Sequence, residues 1–245
     1  MEIEVLEHQD FEVAFVDEGF EARRVRLAEC WMERFERLAS VRVVRSYRGQ
    51  WSIKRDYWVA TTRRRIACES HLERHHAMLM DFDPRVVAVA AQPFRLYRPG
   101  VRGRRGHVPD FFARRADGTG VVVDVRPDEL IGEDDALAFA ATARACVHAG
   151  WVFERVGRID PVLFANVRWL AGFRHPRYLV AGTAGRLREV FAEPRGLFEG
   201  ADVAGERIAV LPVLYHLLWR QELQTDLVGG LLGGHSLVRV RGGGW

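Results

Sequence analysis

Lysine is almost missing from this chain. Of 36 basic residues only Lys54 is a lysine, and the rest are arginine. Arginine stays charged and presents a planar fork suited to carboxylates and phosphates, so this bias fits either an arginine-rich genome or a phosphate-binding surface. A formal net charge of +3 is mild and does not by itself establish a nucleic-acid partner. Cysteine is scarce as well. Cys30, Cys68 and Cys146 are odd in number and far apart, which excludes a disulfide framework and makes no zinc set. They read as reduced thiols in a cytoplasmic protein. Long apolar runs are also lacking: Ile208 to Trp219 is the longest, too short to span a bilayer and broken by Pro212 and His216. The acidic start Met1-Glu2-Ile3-Glu4 is unlike a signal peptide, so no membrane partner is expected. There are no internal repeats. What remains, 48% hydrophobic and 28% charged over 245 residues, fits a soluble globular chain of one large domain or two modest ones.

The most informative stretch runs from His107 to Asp128. Pro109-Asp110-Phe111-Phe112 opens a strand, and Ala116-Asp117-Gly118-Thr119 makes a tight turn, because Asp-Gly supplies the positive φ that such turns need. Val121-Val122-Val123 suits a buried central strand. Asp124 follows, and Arg126 stands two residues on, so the two share a strand face. The hairpin brings Asp110 alongside. Two carboxylates and a cation converging where apolar strands end can hold a divalent metal through oxygen ligands. Pro109-Asp110 with Asp124-Val125-Arg126 resembles the PD-(D/E)XK nuclease signature, with arginine in the lysine position.

Around this stretch the chain reads as mixed α/β. Residues 1–60 form a preamble, with a strand over Phe11 to Val16 and helical spacing from Val25 to Leu38. Arg45, Tyr47, Arg48, Trp51, Lys54, Arg55, Tyr57 and Trp58 interleave aromatic and basic side chains, a pattern suited to nucleic acid but also to an ordinary strand pair. Residues 61–157 hold the expected catalytic core. Its helix up to Asp83 carries Glu69 and Glu73 at a spacing of four, so both can face one site. His71 and His75 have zinc-pair spacing without an evident third ligand. A strand is expected within Arg85 to Arg98, and a cationic loop with Arg102, Arg104 and Arg105 precedes Asp110. An alanine-rich helix over Gly132 to His148 links the hairpin to a strand at Trp151 to Val156, which makes a crossover. Residues 158–245 change character: Asp160-Pro161 caps a helix through Trp169, Tyr178 to Phe191 and Glu206 to Arg220 follow as helices, and short strands flank glycine pairs. Helices followed by a glycine-cornered hairpin resemble a winged helix.

The order Leu72-Glu73-Arg74, Asp81-Phe82-Asp83-Pro84, Gln92-Pro93, Pro109-Asp110-Phe111 and Asp124-Val125-Arg126-Pro127 resembles the TnsA-type endonuclease subunits of heteromeric Tn7-like transposases. The likeness covers roughly residues 60 to 156. It implies a restriction-endonuclease-like mixed-sheet core with a mainly helical, winged-helix-like C-terminal domain. It implies Glu73, Asp110 and Asp124 as ligands of Mg²⁺ or Mn²⁺, Arg126 as the catalytic cation and Gln92 as a supporting residue. It also implies cleavage of DNA at transposon ends, beside a DDE transposase subunit and an AAA+ ATPase regulator. Arg48, Lys54, Arg102, Arg104 and Arg105 are the candidate DNA contacts. The alternatives are a restriction or defence nuclease of the same fold, or a DNA-binding subunit with a silenced site. Arginine at 126 bears on that choice, because it can stabilise transition-state charge but cannot serve as a base.

Overall fold

The computed structural model describes residues 11–42, 55–98 and 106–242. The chain is α/β and divides into two units, the first residues 1–81 with 85–158 and the second residues 82–84 with 159–245.

The first unit is built on a four-stranded sheet of β5 (Val86–Ala91), β7 (Phe111–Arg115), β8 (Gly120–Val125) and β9 (Val152–Val156), in that spatial order. The β5–β7 and β7–β8 pairs are antiparallel, and β8–β9 is parallel. The parallel step is made by α3 (Glu133–Ala149), which ends at Gly150 in the left-handed region, φ 67°. The β7–β8 turn forms as its residues dictate: Gly118 takes φ 89°, and Asp117 Oδ1 accepts the Thr119 N–H at 2.9 Å. Val121, Val122 and Val123 are buried, as befits a strand flanked on both sides.

A second sheet has the order β2-β1-β6, from β1 (Glu12–Val16), β2 (Ala22–Arg26) and β6 (Arg95–Tyr97). The expected helix over Val25 to Leu38 does not form as one element. Pairing with β1 draws Ala22–Arg26 into a strand, and only Leu27–Cys30 (α1) and a single turn at Phe35–Arg37 are helical. The spacing did mark inward positions, since Leu27, Phe35 and Leu38 are buried, although Trp31 is exposed. These side chains share a core with Phe94, Phe112, Val122 and Trp151, so residues 11–42 are continuous with the first unit. Phe35 lies at its centre, with ring centroids 4.9 Å from Phe94 and 5.5 Å from Trp151.

The expected strand through Arg85 to Arg98 breaks into β5 and β6. Gln92 sits between them at φ 49°, ahead of Pro93, and turns the chain from one sheet to the other. A hairpin of β3 (Arg55–Val59) and β4 (Arg64–Cys68) leads into α2 (His71–Phe82). Asp81 of α2 braces that hairpin, accepting from Tyr57 Oη, Ala60 N and Thr61 N, each at 2.9 Å. Tyr57 is therefore a core residue and not a surface contact. Arg45, Tyr47, Arg48, Trp51, Lys54, Arg102, Arg104 and Arg105 lie outside the described residues.

The second unit contains α4 (Pro161–Leu170), α5 (Ala181–Val190), β10 (Arg195–Gly196), α6 (Leu197–Ala204), α7 (Arg207–Trp219), β11 (Leu223–Gln224) and β12 (Leu237–Val240). Asp160 caps α4 by accepting from Val162 N and Leu163 N. The three strands form a small sheet in the order β10-β12-β11. Buried Asn166 pins the glycine-rich connection of β11 to β12, donating to the Leu227 and Gly230 carbonyls and accepting from Leu232 N. Among the described residues no helix is long and apolar enough to cross a membrane.

Two glycines predict opposite responses to a methyl group. A Cβ at Gly120 would stand 2.8 Å from the Phe112 ring and 2.9 Å from the Trp151 ring, both in the core. Gly120→Ala should lower stability by about 1–3 kcal/mol, the usual cost of overpacking. Gly185 lies inside α5 with open space around it, so Gly185→Ala should raise stability by up to about 1 kcal/mol. Thermal denaturation of the full chain checks both signs.

Candidate active site

Asp110 immediately precedes β7, and its carboxyl is tied to the neighbouring strand: Oδ2 accepts the Val125 N–H at 2.7 Å. The Asp110 carbonyl accepts the Gln92 N–H at 2.9 Å. Burial pushes this carboxyl up from its ordinary 3.8 to about 7; the Val125 bond opposes that, and the charges of Glu73 and Asp124 add to it. Glu73 is buried in the first turn of α2. Its Oε2 accepts the Glu69 N–H at 2.7 Å, and its own N–H is held by Ser70 Oγ at 3.0 Å. Ser70-x-x-Glu73 is thus a capping arrangement, a signal present in the sequence that explains why this acid turns inward. Burial raises the Glu73 carboxyl too, and the neighbouring Glu69 charge adds to it. Of the two acids on this face, Glu73 is buried and Glu69 is exposed.

Asp124 is 2% exposed, and its Oδ2 lies 2.8 Å from His107 Nε2. Reciprocal backbone bonds between Leu96 and His107 hold that histidine in place. His107 opened the informative stretch yet showed no functional signal there, because its partner is seventeen residues away in sequence.

Arg126 does not join the carboxylates as the hairpin argument expected. The strand ends at Val125, and the guanidinium turns to the first turn of α3. Its Nε donates to Leu130 O at 3.1 Å and to Asp135 Oδ2 at 3.2 Å, and Nη2 lies 3.0 Å from the same Asp135 oxygen. The same Asp135 oxygen also accepts the Gly132 N–H and so caps α3. Asp124 meets His107, which stands against the Phe139 ring, while Arg126 meets Asp135.

Gln92 is 1% exposed and joins three segments. Besides its bond to Asp110, its carbonyl accepts Val41 N at 2.9 Å, and its Oε1 accepts Ser40 Oγ at 3.1 Å. Its Nε2 has no partner among the described residues. A non-glycine residue held at positive φ carries strain of the kind found at functional sites.

Among the described residues no three His, Cys, Asp or Glu side chains stand close enough to form a ready cage, around His71 and His75 or elsewhere. Mg²⁺ is commonly bound by one or two carboxylates, with water and substrate phosphate completing the shell. Glu73 and Asp110 fit that donor set: both are hard oxygen ligands, and burial raises both carboxyls, a cost that a bound cation would offset. A scan against protein-family models gives no match to this chain, and a search of curated proteins gives none either.

The Asp110 shift predicts a pH dependence. A carboxyl raised above its unfolded value favours the folded state while protonated, and that contribution is lost as pH rises through about 7. The wild-type melting temperature should therefore fall from about pH 5 to about pH 8, and Asp110→Asn should flatten this slope and be the more stable at the alkaline end. Adding Mg²⁺ or Mn²⁺ at the alkaline end should raise the wild-type melting temperature and leave Asp110→Asn unmoved. Thermal melts across pH, with and without the cation, check both.

Proposed function

We propose that this protein is a metal-dependent DNA endonuclease of the restriction-endonuclease-like type, working as the cutting subunit of a Tn7-like transposase. The observation that carries the nuclease reading is the pair of Glu73, buried in the first turn of α2, and part-buried Asp110, whose Oδ2 accepts the Val125 N–H beside β8; burial raises both carboxyls. The strand order β5-β7-β8-β9, with α2 before it and α3 as the crossover, supports the same reading. The transposon setting, with its DDE transposase and AAA+ ATPase partners, rests on the order of motifs from Glu73 to Arg126.

In this reading Glu73 and Asp110 would hold Mg²⁺ or Mn²⁺; Asp124, expected as the third ligand, is engaged by His107 instead, and no three-ligand group forms among the described residues. The bound cation supplies charge neutralisation at the scissile phosphate and a lowered pKa for the attacking water. The chain's own residues do the positioning. Val125 N–H fixes one Asp110 oxygen, and Glu69 N–H fixes one Glu73 oxygen. Gln92 keeps the start of β7 in register with Ser40 and Val41.

We read the second unit as winged-helix-like on its sheet order and on α5, α6 and α7. Its third helix is poorly suited to reading bases. Val210, Val213, Leu214, Leu217 and Leu218 are buried, Arg207 is paired to Asp202, and Tyr215 lies within an aromatic group with Trp169 and Phe173. Base readout needs polar side chains free to enter a groove. Docking a protein partner is the role that fits.

One observation favours a second reading, a DNA-binding subunit whose cutting is silenced: Arg126, the residue at the motif's lysine position, is engaged with Asp135. A single assay separates the two. With Mn²⁺, the wild type should nick supercoiled DNA, and Asp110→Asn or Glu73→Gln should lower the rate by about 10²-fold or more, the scale of losing a charge-stabilising group. DNA binding without nicking by the wild type would establish the silenced subunit instead.

A further inference from the structure

We propose that Arg42, and not Arg126, is the cation that grips the scissile phosphate. Held at rest against Glu69, beside the Glu73–Asp110 pair, it transfers to a nonbridging oxygen when DNA arrives. This rests on the nuclease reading above.

Three observations lead to Arg42. The first is its place in a continuous chain of contacts around the carboxylates. Arg42 Nη1 lies 2.6 Å from Glu69 Oε2, and the Glu69 N–H holds Glu73 Oε2 at 2.7 Å. On the other side, Ser40 Oγ accepts the Arg42 N–H at 3.2 Å and donates to Gln92 Oε1, while Gln92 N–H reaches the Asp110 carbonyl. The segment bearing Arg42 is thus fastened to the residue that sets the start of β7. The second is electrostatic. The Arg42 charge is felt at both acids, lowering Glu73 and Asp110 alike against the burial that raises them. The third is the alternative's engagement. Arg126 is bound to Asp135 and to the Leu130 carbonyl, and its pair also serves the cap of α3.

Arg42 is held in a way that permits transfer. Its pair with Glu69 is about one-third exposed on both sides, 37% and 36%, so water already competes for it. A phosphodiester oxygen offers the guanidinium an anionic acceptor of the kind its fork geometry suits. In the reaction the water oxygen bonds to phosphorus, one ester oxygen leaves with its bonding pair, and that oxygen ends with a water proton. Arg42 gives up no proton; its N–H groups donate to the phosphate oxygen whose charge grows in the transition state.

The test compares Arg42→Ala, Arg42→Lys, Glu69→Gln and Arg126→Ala in the full chain, on supercoiled DNA with Mn²⁺. Mn²⁺ affinity by calorimetry and melting temperature are read beside cleavage. Arg42→Ala should lower kcat by about 10²-fold or more, with Mn²⁺ affinity and melting little changed. Arg42→Lys should recover part of the loss, since the charge stays. Glu69→Gln frees Arg42 and should lower KM several-fold, raising kcat/KM where Arg42→Ala lowers it. If Arg42 only braces its segment through the ion pair, the two variants would instead damage the enzyme alike, and that result overturns the proposal. Arg42→Ala nicking as fast as a wild type that nicks also overturns it, as does a 10²-fold loss confined to Arg126→Ala. A wild type that nicks nothing overturns the nuclease reading and the Arg42 proposal together.

Discussion

The Glu73 and Asp110 carboxyls, both raised by burial, are the constraint on which the described part of the first unit turns. Burying carboxyls is costly unless something answers their charge, and the chain answers only in part. One backbone N–H is directed at each: Val125 to Asp110 and Glu69 to Glu73. The Arg42 guanidinium, paired with Glu69, lowers both. Both carboxyls still rise above their ordinary values. A fold that needed these positions only for packing would place apolar side chains there, as it does at Phe111, Phe112 and Val122 a few residues away. Retaining strained charge at the end of a well-packed sheet makes physical sense if an outside cation completes the site.

The parts of this arrangement that were legible in the sequence are those set by neighbours in sequence. Asp117-Gly118 specifies its own turn, the valine run specifies a strand flanked on both sides, and Gly132 to His148 specifies a crossover helix to within a residue at each end. Asp160-Pro161 specifies a helix start. The parts that were not legible depend on contacts across long separations. Ser40 meets Gln92 across 52 residues and Arg42 meets Glu69 across 27, with no local pattern marking either. Val25 to Leu38 illustrates the reverse: the apolar spacing is helical and the inward residues are right, yet pairing of β2 with β1 overrides the helix. Arg126 was misplaced for a subtler reason. Alternation would place Asp124 and Arg126 on one face of a longer strand, but β8 ends at Val125 and alternation says nothing of the partners beyond it.

Arg42 and Arg126, the two arginines weighed for the proposed cationic role, differ in what release from their present partners would undo. Exposed ion pairs of either kind contribute only about 0–1 kcal/mol, so the pair itself decides nothing. Freeing Arg42 from Glu69 leaves Glu73 still held by the Glu69 backbone, because that bond uses the N–H and not the side chain. Its anchor to Ser40 is likewise backbone-made and survives the swing of the guanidinium. Freeing Arg126 removes a donor from the Leu130 carbonyl and from Asp135, the residue that caps α3 at Gly132. That helix carries the crossover linking β8 to β9, so the cost would reach the sheet on which Asp110 and Asp124 sit. Arg155 adds to the same knot, donating to the Arg126 carbonyl and pairing with Asp128. An arginine woven into a loop serves best as a staple, while one held by a single half-exposed carboxylate can exchange that partner for a phosphate with little rearrangement. On that ground Arg42, a residue the motif does not include, suits the proposed cationic role better than Arg126, which holds the loop between β8 and α3.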